Sequence, residues 1–140
     1  MRCKTLSLLF VPWLDRGMEV FMKHIDARIY SGRTNFEWKD LKVNPEGLLP
    51  VIVQDYIDRT VLLYTHMNED AWNKTLSTGL FTYFSHAHNR SVVKGKKYGN
   101  CQYVREIFLN ADKNALLVKV YRTGPKDDKK SCFFNEIEEI

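Results

Sequence analysis

The sequence has few cysteines and no long apolar run. Its 140 residues include only three cysteines, Cys3, Cys101 and Cys132, an odd number without CxxC spacing. No disulfide framework or zinc ribbon can be read from this spacing, which favours a reducing, cytoplasmic setting. No stretch approaches the roughly 20 apolar residues of a membrane span. Charged residues directly follow the apolar run at 6–14, without a small-residue cleavage site, which argues against a signal peptide.

The charge balance gives little indication of a nucleic-acid partner. The formal net charge of +4 is compatible with a phosphate-bearing ligand but is too small to indicate nucleic acid by itself. Apolar residues make up 44% and charged residues 27% of the chain, as in an ordinary globular protein. These values exclude disorder and a coiled coil, and a chain of this length can form one core without disulfides.

The hydrophobic pattern predicts one α+β domain, mostly β, with an N-terminal strand-helix extension. The extension covers 1–40, where apolar residues after Pro12 recur at helical spacing, and the domain covers 41–140. One main helix is predicted over about 68–78, since Asn68 is a good N-cap and Gly79 a good C-terminal stop. Short β-branched and aromatic runs predict strands over 49–54, 60–66, 80–86, 102–109 and 115–121.

Five stretches of the sequence, in order, resemble the phosphoribosyl-AMP cyclohydrolase family of histidine biosynthesis. They are GLLPVIVQD at 47–55, MNEDA at 67–71, TLSTG at 75–79, KG with GNCQ at 94–102, and ALLVKV with GP and SCF between 115 and 133. The resemblance implies an enzyme that hydrolyses the N1–C6 bond of an adenine ring, with the active site shared in a homodimer. It also implies a zinc ion held by three cysteines and a magnesium ion held by an acidic D-C-D-x-D cluster.

The chain departs from that family pattern at the implied metal ligands. The acidic cluster reads Asn110-Ala111-Asp112-Lys113-Asn114, and the stretch at 124–130 contains neither cysteine nor histidine. Of the implied set, only Asp112 and Cys132 are retained. A single thiolate cannot hold zinc in a tetrahedral protein site, so the zinc centre is not expected to form as in the relatives.

The candidate ligand-binding residues are His86, His88, Arg90, Lys94, Gly99, Asn100 and Gln102. Glycines let backbone N–H groups approach a phosphate, and cations supply charge. The two histidines stand where the resemblance implies arginines. On a strand they would share one face, and a relocated metal site could add His66, Asp112, Asp127, Asp128 or Cys132. The alternatives are histidines that face solvent or an anion, and lysines that protect an edge strand.

The sequence supports three functional hypotheses, and it assigns no catalytic residue. The main hypothesis is a divergent cyclohydrolase-like protein that binds a nucleotide or ribose-phosphate-like ligand, with ring-opening altered or lost. The alternatives are a functioning cyclohydrolase and a non-catalytic binding or regulatory module. The expected partners are a phosphate-bearing small molecule and a second copy of the chain, without nucleic acid or membrane. The metal is expected to be absent or relocated.

Overall fold

The computed structural model describes residues 35–96, 99–122 and 131–138. The elements within these ranges are a 3-10 helix (Trp38–Asp40), β1 (Leu49–Asp55), β2 (Val61–Met67), α1 (Glu69–Thr78), β3 (Thr82–Ser85), β4 (Arg90–Val93), β5 (Gln102–Leu109) and β6 (Leu116–Arg122). The predicted α+β, mostly β class with one main helix is confirmed. The predicted strand and helix before residue 35 lie outside the described residues, and the boundary at position 40 stays a prediction.

Four strands form the main sheet in the order β2-β1-β6-β5. Strand β1 is antiparallel to β2 and parallel to β6, and β5 is antiparallel to β6. Alternate residues of β1 are buried, with Leu49, Val51 and Val53 fully enclosed, whereas Ile52 between them is 39% exposed. One face of this sheet therefore carries the core and the other meets solvent, as is common where antiparallel pairs dominate.

Helix α1 packs on the core face, and both of its predicted ends are confirmed. The Asn68 side-chain oxygen accepts a hydrogen bond from the Ala71 backbone N–H at 2.8 Å. At the other end Gly79 adopts a left-handed conformation with φ of +73°. Trp72 is buried and lies 6.3 Å from Trp38, ring centroid to ring centroid. The cap thus fixes where the helix begins, and Trp72 fixes which face it buries.

A short β3–β4 hairpin lies beside the start of β5. The Phe81 N–H donates to the Gln102 carbonyl at 2.8 Å, and the Lys94 N–H donates to the Phe81 carbonyl at 3.0 Å. The sequence predicted a strand to position 86 and no β4. The strand instead ends at Ser85, because a four-residue turn follows in which Asn89 takes a φ of +50°. Asparagine tolerates this left-handed region better than most residues.

Within the described ranges, no helix is both long enough and apolar enough to cross a membrane.

Candidate ligand-binding site

Two glycines with positive φ, Gly95 and Gly99, lie between β4 and β5, beside the candidate residues Lys94 and Asn100. Gly95 has a φ of +78°, and a Cβ atom added to it would lie 1.9 Å from the Asn100 carbonyl oxygen. The Asn100 N–H donates to the Gly95 carbonyl at 3.0 Å, and Gly99 also has a positive φ, +69°. Only glycine permits both this conformation and this approach, so Gly95 closes the loop and fixes Asn100 beside it.

Two buried amide oxygens in this region have no hydrogen-bond partner among the described residues. They are Oδ1 of Asn100 and Oε1 of Gln102, and the Gln102 side chain belongs to a residue that is only 7% exposed. An unpaired buried polar atom costs about 1–3 kcal/mol, so such atoms are few in native proteins. Both atoms are hydrogen-bond acceptors.

The candidate cations lie on the strand and loop that precede these amides. Arg90 is exposed at the first position of β4, where it pairs with Ser85, and Lys94 is half-buried directly after β4. Lys96 is exposed further along the loop.

The expected placement of His86 and His88 on one face of a strand is wrong. Both lie in the turn between β3 and β4, and both are exposed. The period-two argument applies only to extended backbone, and the chain reverses direction here. The structure brings His86 instead to His66 on β2, with 5.7 Å between ring centroids.

His66 and His86 belong to a row of four rings at the surface. Tyr64 lies 5.4 Å from His66, and Phe84 lies 5.4 Å from His86, both between ring centroids. The pKa of His66 is lowered, first because partial burial removes water from the charged form and second because His86 can carry the same charge, whereas Glu46 raises it. Both effects favour the neutral imidazole of His66.

The described residues among those proposed for a relocated metal site are not brought together. Within the described part of the chain, no three side chains of histidine, cysteine, aspartate or glutamate are grouped so that they could hold a metal ion. Asp127 and Asp128 lie outside the described residues. The His66–His86 contact therefore gives two imidazoles without a third ligand among the described residues.

The two retained residues of the implied metal set lie far apart in one chain. Cys132 is an exposed free thiol, and its backbone N–H donates to the Leu62 carbonyl at 2.8 Å, on the outer edge of β2. Asp112 is exposed in the turn between β5 and β6. Strands β6 and β2 are separated by β1, and neighbouring strands lie about 4.8 Å apart. Cys132 and Asp112 are therefore separated by at least about 10 Å across the sheet.

The buried position of Arg105 on β5 could not be predicted from the sequence. The Nε atom of Arg105 is buried without a partner among the described residues, and its guanidinium carbon lies 5.0 Å from the Tyr56 ring centroid. Arg105 sits at an irregularity of the β5–β6 pairing, between Val104 and Glu106. Sequence periodicity does not show such a bulge, so the placement of Arg105 emerges only from the fold.

Comparison with known proteins identifies the family. The family model for phosphoribosyl-AMP cyclohydrolase matches residues 63–134. A Listeria innocua protein named phosphoribosyl-AMP cyclohydrolase is 42% identical over 96 residues, which are 67% of this chain and 91% of that protein. A Desulforapulum autotrophicum protein of the same name is 42% identical over 94 residues, covering 65% and 75% of the two chains. A histidine biosynthesis bifunctional protein HisIE of Prochlorococcus marinus is 36% identical over 109 residues, covering 76% of this chain and 49% of that protein. The chain belongs to the phosphoribosyl-AMP cyclohydrolase family.

Proposed function

We propose that this chain binds a nucleotide or ribose-phosphate-like ligand at the candidate site, and that its ring-opening hydrolysis is altered or lost. The observation that carries the binding proposal is the pair of unpartnered buried oxygens on Asn100 and Gln102. A ribose hydroxyl or an amino group of a base is a donor of the kind that these oxygens lack. The phosphate of the same molecule would bind the cations that precede them, Arg90 and Lys94.

The resemblance implies a zinc ion, and the residues present do not fit it. Ala111 offers no donor atom, and the stretch at 124–130 contains no cysteine. Cys101 is fully buried in the core and is disulfide-bonded, contrary to the expectation from the cysteine spacing, so it offers no thiolate. Cys132 is the one implied thiolate that remains. Water is a poor nucleophile unless a metal or a strong base activates it. We therefore expect phosphoribosyl-AMP turnover at least about 10³-fold below that of a relative with the complete cysteine set.

A functioning phosphoribosyl-AMP cyclohydrolase is the second candidate. It is favoured by the 42% identity to the Listeria innocua protein of that name, which this chain matches over 91% of its length. Turnover measured together with metal content separates the two candidates. Normal turnover in a zinc-free preparation would refute the argument from the missing ligands. Ligand binding with neither turnover nor bound metal would indicate a non-catalytic binding module.

We also propose a homodimer, which the position of Cys132 supports. The segment Ser131–Phe134 runs beside the outer edge of β2, where the Ser131 hydroxyl donates to the Val61 carbonyl. Phe133 and Phe134 in this segment are 61% and 69% exposed. Because Cys132 and Asp112 lie apart in one chain, any site that uses both needs a second copy. An isologous dimer is the commonest closed arrangement that provides one.

Calorimetry with AMP and with ribose 5-phosphate tests the binding proposal. We expect both ligands to bind, because Arg90 and Lys94 supply cationic partners for a phosphate. Binding should weaken with salt, which screens exposed charges over about 8–10 Å. Arg90→Ala should lower the affinity for both ligands, because it removes one of the two cations.

A metal-dependent ligand site would bind the ligand only with its metal in place. The same titrations with a chelator therefore distinguish the two mechanisms. If a chelator abolishes binding, the proposed cation site is wrong. If neither ligand binds under any condition, the binding proposal is refuted.

A further inference from the structure

The turn between β5 and β6 is closed by two asparagine side chains. The Asn110 amide nitrogen Nδ2 donates to Oδ1 of Asn114 at 2.6 Å. Oδ1 of Asn110 also accepts the backbone N–H groups of Asn114 and Ala115, both at 2.9 Å. Lys113 in the same turn has a φ of +60°, and its carbonyl accepts the Lys42 N–H at 2.7 Å. The side chain of Asn110 therefore uses both of its polar atoms within the turn.

An amide can form this contact because it carries both a donor and an acceptor. An ionised carboxylate only accepts hydrogen bonds. If both positions held aspartate, two negatively charged oxygens would approach to about the 2.6 Å now seen between Asn110 and Asn114, unless a proton or a cation lay between them. The resemblance implies acidic residues at these two positions and a magnesium ion beside them. The amide pair occupies that space, and these residues do not fit such an ion.

We infer that Asn110 and Asn114 close the β5–β6 turn in place of a divalent cation. The turn in this chain is held by neutral hydrogen bonds and by its bond to Lys42, so its stability is independent of magnesium. A divalent ion would be needed only if both amides became carboxylates. Asp112 would then complete three carboxylates, the oxygen ligands that magnesium and calcium prefer.

A double-mutant cycle on thermal unfolding tests this inference. Asn110→Asp and Asn114→Asp are each expected to change the melting temperature by no more than about 2 °C in EDTA, because the remaining amide can still donate to the new carboxylate. The melting temperature of the double variant should be at least about 5 °C lower than the value expected if the two single changes were additive, because no donor remains between the two carboxylates. About 5 mM Mg²⁺ or Ca²⁺ should restore most of that loss.

A matched pair of charge changes provides the control. Asn73 and Asn135 are both exposed, so Asn73→Asp with Asn135→Asp adds the same charge away from the turn. That pair should show no coupling and no greater response to cations than the wild-type chain. The inference is overturned if the turn variants are additive in EDTA. It is also overturned if divalent ions raise the melting temperature of the double turn variant no more than that of the control pair.

Discussion

The substitution Gln102→Met tests whether the side-chain amide of Gln102 serves ligand binding or the stability of the fold. The residue is 7% exposed, and its Oε1 has no hydrogen-bond partner among the described residues. Methionine has nearly the same length and shape but carries no strong acceptor. Removing an unpaired buried acceptor should recover about 1–2 kcal/mol, which raises the melting temperature of a chain of this size by roughly 3–8 °C. The same change should weaken AMP binding about tenfold, because one ligand donor loses its acceptor.

The matched control is Gln54→Met on β1. The Gln54 amide nitrogen donates to the Arg59 carbonyl at 3.0 Å, so this glutamine has a partner within the chain. Its replacement should lower the melting temperature slightly and leave AMP affinity unchanged. Differential scanning fluorimetry and calorimetry on the two variants give both quantities. A Gln102→Met variant that is less stable and binds AMP normally would refute the assignment, because Oε1 would then serve the fold alone.

Three other predictions concern the loop, the imidazoles and the assembly. Gly95→Ala should unfold the loop or lower the free energy of unfolding by more than about 2 kcal/mol, measured by denaturant titration. Gly47 has a φ of +75° but no atom within 4 Å of an added Cβ, so Gly47→Ala should lower that free energy by only about 1 kcal/mol. Equal costs would contradict the steric argument. The pKa of His66 is lower in the folded chain than the ordinary value of about 6.5, so the unfolded chain binds more protons as the pH decreases through that value. The free energy of unfolding should therefore decrease as the pH is lowered from about 7. His66→Phe should reduce that fall, and an unchanged pH profile would exclude His66 as its source. Light scattering at micromolar concentration should show a homodimer, and a monomer would refute the role proposed for Ser131–Phe134.

The helix and most strands could be predicted because their signals are local. Asn68 and Gly79 have side-chain and backbone preferences that mark helix ends without reference to the rest of the fold. The β-branched runs of β1, β5 and β6 likewise lie between turn-forming residues. The turn at His86 was missed because its four residues lack glycine and proline, and only the positive φ of Asn89 shows where the chain reverses.

The sequence could name candidate residues for the site but not their hydrogen bonding or their contacts. Asn100 and Gln102 were named from the resemblance, yet the unpartnered state of their oxygens depends on neighbours that come from other parts of the chain. The separation of Cys132 from Asp112 depends on strand order, which no local pattern specifies. The His66–His86 contact joins β2 to a turn twenty positions later and has the same origin.

The parallel pairing of β1 with β6 has a consequence for how the chain folds. Val51 pairs with Leu116, about 65 positions further along the chain. Closing a loop of that length costs about 3–4 kcal/mol of chain entropy before any contact between the two strands can compensate for it. The β1–β2 and β5–β6 hairpins need far shorter loops and can form first. Docking of one preformed hairpin on the other is then the slow step, and folding in milliseconds or longer is expected from so many distant contacts.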